Sequence, residues 1–73
     1  MMNILDEIRN ALKQQFNQNP ISLDYDGKLL VITICDSAFK GLSPVKQQQM
    51  VYQIINPWIL DKTIHAVKLN LSS

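Results

Sequence analysis

The stretch Ile21-Ser22-Leu23-Asp24-Tyr25-Asp26-Gly27-Lys28-Leu29-Leu30-Val31-Ile32-Thr33-Ile34-Cys35 decides how this chain folds. Ile21 to Tyr25 alternates apolar and polar residues, the period of a half-buried strand. Asp26-Gly27 is a favoured two-residue hairpin turn, because both positions tolerate positive φ. Leu29 to Cys35 then reads as a second strand. A turn centred on Asp26-Gly27 places Tyr25 opposite Lys28, Leu23 opposite Leu30 and Ile21 opposite Ile32. Those pairs share a face, so turn chemistry and hydrophobic pattern agree.

Upstream, Leu5, Ile8, Leu12 and Phe16 recur at helical spacing. Asn3 is the expected N-cap, and Asp6 and Glu7 suit the positive end of the helix dipole. Asn19-Pro20 is expected to end this helix, since a residue before proline avoids the helical region. Downstream, Asp36 to Leu42 is a connector, and Ser43-Pro44 reads as an N-cap followed by proline at the first helical position. Val51, Ile54, Ile55 and Trp58 form the stripe of the next helix. Pro57 is expected to end or kink it near Asn56, with a short helical turn through Trp58 to Leu60. Thr63 to Leu71 is the last strand, with His65, Val67, Leu69 and Leu71 on one face and Ala66, Lys68 and Asn70 on the other. The order is α-β-β-α-(α)-β, an α/β fold with a three-stranded mixed sheet and helices on one face. The helical crossover favours a parallel, right-handed connection.

The 73 residues, 47% hydrophobic with net charge +1, suffice for one domain over 1–73 and one core. A single cysteine excludes an intramolecular disulfide and favours a reducing compartment. Asp6 and Glu7 interrupt any apolar signal stretch, and Leu29 to Cys35 is too short to span a bilayer. A soluble, cytoplasmic protein with no membrane association is expected.

His65 is the single histidine. Its parity makes it either a partly buried structural histidine or a metal ligand. Cys35 is the natural second soft ligand, but parallel pairing sets it at the opposite sheet end from His65, roughly 20 Å away at ~3.3 Å per residue. It reads better as a buried or half-buried small hydrophobe. A co-ligand for His65 must come from the hairpin tip or another molecule. No nucleophile triad or phosphate-binding glycine pattern is present, so no enzyme is expected. The topology resembles a class II KH-like arrangement, but Gly41-Leu42-Ser43-Pro44 lacks the second glycine of a Gly-x-x-Gly clamp. Lys40 and Lys46, with Lys28, read first as solvated lysines and second as phosphate contacts.

The run Phe39-Lys40-Gly41-Leu42-Ser43-Pro44-Val45-Lys46-Gln47-Gln48-Gln49-Met50-Val51-Tyr52 resembles the pattern F-x-G-x-S-x-V…V-Y of the BolA-like family, and Ile64-His65-Ala66-Val67 resembles its I-H-A-[LV] strand. The glutamines at 47–49 bring it nearer the YrbA/IbaG-like branch than BolA proper, which carries Arg-His-Arg there. The resemblance implies an α-β-β-α-α-β fold and partnership with monothiol glutaredoxins in sharing a [2Fe-2S] cluster. His65 would be the carried-over ligand, no cluster being bound by the chain alone. It implies roles in iron–sulfur assembly, trafficking, or iron and stress regulation. The alternative is a nucleic-acid-binding transcriptional regulator of stress response or morphology, touching DNA around Lys40 to Tyr52. The motif residues Phe39, Gly41, Ser43, Val51, Tyr52 and Ala66 are candidate partner contacts.

Two departures bear on these roles. Asp24 to Lys28 contains neither Cys nor His where the family has its second ligand, and Leu29 replaces an early-strand histidine. A third reading is a metal-free interaction domain, a monomer or weak homodimer, using the sheet face of Val31, Thr33, Cys35 and Ala66.

Overall fold

In the computed structural model, which describes residues 3–73, Asn3 caps the first helix. The first two residues of the expected 1–73 domain lie outside the described residues. Asn3 Oδ1 accepts the Asp6 N–H at 2.9 Å, which satisfies one orphan donor of the first turn. Helix α1 (Ile4–Lys13) buries Ile8 and Leu12 completely, with Phe16 just beyond its end. It stops at Lys13 and does not run on to Asn19-Pro20. The reason is tertiary. Gln18 exchanges two hydrogen bonds with Ser37, accepting its N–H at 3.0 Å and donating to its hydroxyl at 2.7 Å. Asn19 donates to the Cys35 carbonyl at 2.8 Å. These amides clamp the far end of the second strand, a task that takes them off the helix.

Strands β1 (Ser22–Tyr25) and β2 (Leu29–Cys35) pair antiparallel. Tyr25 lies opposite Leu30 and Leu23 opposite Ile32, two residues away from the expected register. Asp26 N donates to the Leu29 carbonyl at 3.4 Å, and Asp26 Oδ1 accepts from Lys28 N and Leu29 N, each at 2.8 Å. The central pair of the turn is therefore Gly27-Lys28. Gly27, at φ +97°, takes the first central position, which needs positive φ in the primed hairpin turns. A slip of one residue would exchange the faces of a strand. A slip of two preserves them, so the apolar face is as expected and only the pairing differs.

After a 3-10 turn (Ser37–Phe39), helix α2 runs from Pro44 to Leu60. Ser43 Oγ accepts the Lys46 N–H at 3.3 Å, and Pro44 stands at the first position. Pro57 neither ends the helix nor separates a second one. It falls in the last turns, where its missing N–H forfeits one bond. Trp58 and Ile59 pack on the core and hold the final turn, so the separate short helical piece is 37–39, not 58–60.

Strand β3 (Ala66–Ser72) pairs parallel with β2, Leu29 opposite Ala66 through Cys35 opposite Ser72. It begins three residues later than Thr63 because residues 61–64 are tied to the helix end. Lys62, at φ +64°, donates to the Ile59 carbonyl at 3.1 Å; Thr63 N donates to Asp61 Oδ1 at 2.9 Å; Ile64 N donates to the Trp58 carbonyl at 3.2 Å. The sheet order is β1-β2-β3. Leu30, Ile32 and Ile34 meet Ile8 and Leu12 from α1, Phe16 just beyond it, and Val51 and Ile55 from α2 in one buried core. Both helices thus cover the same sheet face. On the other face Thr33, Cys35 and Ala66 are exposed and Val31 is half-buried. Among the described residues no helix is long and apolar enough to cross a membrane.

Candidate functional site at the His65 end of the sheet

Ile64 is buried and fastened to the end of α2. Ala66 opens the parallel ladder opposite Leu29. His65 lies between these two anchors and is exposed. One step before the Leu29–Ala66 pair stand Lys28 and His65, so the histidine sits at the sheet end that carries the hairpin turn. The expectation of a partly buried structural histidine is corrected. His65 has the parity of Val67 but lies one residue outside the strand, where no core packing covers it.

Cys35 pairs with Ser72 at the other end of the same ladder. The six residue steps from Leu29 to Cys35 put the two sheet ends roughly 20 Å apart, so Cys35 and His65 are not brought together. Cys35 is also exposed, which corrects its reading as a buried or half-buried hydrophobe. Its alternation in β2 directs it to the face the helices leave open.

Two carboxylates, Asp26 and Asp61, are engaged by neighbouring donors. The Asp26 carboxylate is held below its ordinary 3.8 chiefly by the Leu29 N–H and next by that of Lys28. Asp61 is likewise lowered, by the Thr63 hydroxyl and then the Thr63 N–H. Among the described residues no group of three or more His, Cys, Asp or Glu side chains can hold a metal ion. The single imidazole of His65 and the single thiol of Cys35 thus stand apart, at opposite ends of the β2–β3 ladder.

The other motif residues shape the approach to α2. Phe39 is fully buried, its ring 4.9 Å from that of Phe16 and tilted by 31°. Gly41 has φ +79°, a conformation open to glycine at little cost. Ser43 caps α2, and Val51 is fully buried. Ala66 and Tyr52 are exposed, as are Lys40 and Lys46 on either side of the helix start.

Two structural contributors escaped the sequence reading. Gln47 Nε2 donates to the carbonyls of Phe39 at 3.2 Å and Leu42 at 2.9 Å, bracing the turn into α2. Its one visible sign was a polar residue in the first turns beside the Ser43 cap. The Gln18–Ser37 pair spans a sequence separation of 19 and leaves no local sign.

Residues 7–73 match the family model described as BolA-like protein. The chain belongs to the BolA-like family. Among curated relatives, the acid stress protein IbaG of Escherichia coli (strain K12) is 31% identical over 64 residues, covering 88% of this chain and 76% of the relative. An uncharacterized protein of Buchnera aphidicola subsp. Baizongia pistaciae is 29% identical over 72 residues, covering 99% and 91%. Among solved structures, BolA1 from Arabidopsis thaliana superposes with TM-score 0.85 at 19% identity, covering 99% of this chain and 93% of that one. The BolA domain of SufE1 from Arabidopsis thaliana gives 0.83 at 17% identity, covering 99% and 94%. At such identities the structural likeness is one of fold, and it matches the BolA-like α/β architecture expected from the sequence.

Proposed function

We propose that this BolA-like chain is a non-enzymatic cytoplasmic accessory protein that joins a monothiol glutaredoxin in holding and passing on a [2Fe-2S] cluster. The observation that carries this reading is His65. The histidine of the family block stands exposed at an open sheet end, and the single cysteine of the chain lies at the other end of the ladder. A neutral imidazole is a good iron ligand, and iron–sulfur clusters accept mixed histidine and thiolate ligation. The remaining thiolates would come from the partner, and the cluster is cargo shared between the two. The ordered backbone on both sides of His65 would limit the entropy lost on binding. The naming of a relative as an acid stress protein supports the stress side of the reading.

The test is to reconstitute a cluster on a mixture of this protein with a monothiol glutaredoxin and follow visible absorption and circular dichroism. Wild type should give a mixed-complex spectrum distinct from that of glutaredoxin alone. His65→Ala should lose that signature and weaken the complex. An unchanged spectrum and complex would remove the ligand role.

The exposure of both Lys40 and Lys46 beside the start of α2 favours a second reading, a nucleic-acid-binding regulator. Such binding would weaken steeply with salt through counterion release. No affinity for duplex DNA at low salt would remove it.

A further inference from the structure

The large hydrophobic side chains that stand exposed among the described residues are Val45, Tyr52 and Leu60, and all three lie on α2. With Gln49, Gln53 and Asn56 they recur at spacings of three and four, which at 3.6 residues per turn makes one stripe. The stripe points away from the sheet, because Val51 and Ile55 on the opposite side of the helix are fully buried. It contains no charged side chain. At its centre Gln49, Tyr52, Gln53 and Asn56 line a shallow depression of about 290 Å³.

We infer that this stripe is a self-association surface, on which a second copy of the chain lays its α2 antiparallel. The order of residues carries the choice of occupant. Turned about a two-fold axis passing between Tyr52 and Gln53, the stripe is its own complement. Val45 faces Leu60 of the copy and Leu60 faces Val45, so apolar ends meet apolar ends. Gln49 faces Asn56, amide to amide, and Tyr52 faces Gln53 over the central depression. Lys46 lies one step off the stripe, at the level of Ile59 of the copy. This is the isologous pattern of a two-fold dimer. A helix of 17 residues is about 25 Å long, and one face of it offers well under the roughly 800 Å² per partner of a standard interface. The dimer is therefore weak, with Kd on the order of 0.1–1 mM. The surface lies on α2 and stands independently of the cluster role of His65.

Sedimentation equilibrium of the full chain, over a concentration series reaching about 1 mM, tests the interface and two paired variants test its register. Gln49→Glu with Asn56→Lys places opposite charges face to face across the axis; residues seven apart do not meet within one helix. That double variant should tighten the dimer by roughly threefold to tenfold. Gln49→Lys with Asn56→Lys should weaken it by a similar factor, and Tyr52→Glu should abolish it. Far-ultraviolet circular dichroism should be unchanged in all of these, since the positions are exposed. A monomer throughout the series would overturn the proposal. So would a dimer that both charge variants leave unaltered, or one that Tyr52→Glu spares and Val31→Lys on the open sheet face disrupts.

Discussion

Asp26 sets the hairpin by accepting two backbone N–H groups, those of Lys28 and Leu29. Asp61 does the same for the Thr63 N–H after α2. Both carboxyls titrate below their ordinary 3.8 in the folded chain. The stabilisation they contribute is fully present above the unfolded value and is lost as pH falls through the folded values. The urea midpoint should therefore drop on acidification below about pH 4. Asp26→Asn together with Asp61→Asn keeps an acceptor oxygen at each position but removes the titration, and should flatten that drop. Lys62 occupies the left-handed region at φ +64° just past the α2 cap, a conformation that strains a residue with a Cβ. Lys62→Gly should raise stability by about 1 kcal/mol, measured by urea denaturation. A loss of stability would mean that the Lys62 side chain contributes packing that outweighs the strain.

At the scale of elements, the start of α2 is capped by Ser43 and braced by one side-chain amide. Gln47 donates to the carbonyls of Phe39 and Leu42, and the Phe39 carbonyl also accepts the Leu42 N–H at 3.1 Å. Gln47→Ala should cost about 1–2 kcal/mol, with amide exchange accelerated at residues 39–47 more than in the sheet. Uniform acceleration would argue against this local role. The same elements show how sequence patterns act. Strand faces were legible because apolar alternation is a local property of Leu23, Leu30, Ile32 and Ile34. Register was not, because a slip of two residues preserves every face and the choice lay with the hydrogen bonds of Asp26. The Pro57 expectation failed because the packing of Trp58 and Ile59 on the core outweighs the bond that proline forfeits.

For the whole molecule, one core under one sheet face carries the stability. A chain of 73 residues commands only about 4–11 kcal/mol in total. Phe39→Ala empties the site against Phe16 and should cost about 3–5 kcal/mol. The variant should be largely unfolded at moderate urea where wild type is intact, as read by Trp58 fluorescence. A loss below 1 kcal/mol would show that the Phe16 side of the core collapses to fill the space. Burial of Phe39 also explains why a residue in the sequence block shared with the family is inaccessible to partners. It seats the turn through Gly41 and Ser43 from which α2 departs. What remains outside for partners is His65 at one sheet end, the open sheet face and the outer stripe of α2.

The amino-acid sequence by itself determined the α/β class, the element order, the apolar face of each strand, the caps at Asn3 and Ser43, and the family blocks around Gly41 and His65. These follow from short-range periodicity and steric preference, which act over a few residues and survive any arrangement of the rest. Only the tertiary structure decided the hairpin register, the early end of α1 and the exposure of His65 and Cys35. Each depends on groups distant in the chain: Ser37 drawing Gln18 out of the helix, the end of α2 anchoring Ile64, two helices crowding one sheet face and leaving the other bare. Periodicity assigns a side chain to a face, but its burial depends on which parts of the chain pack over it.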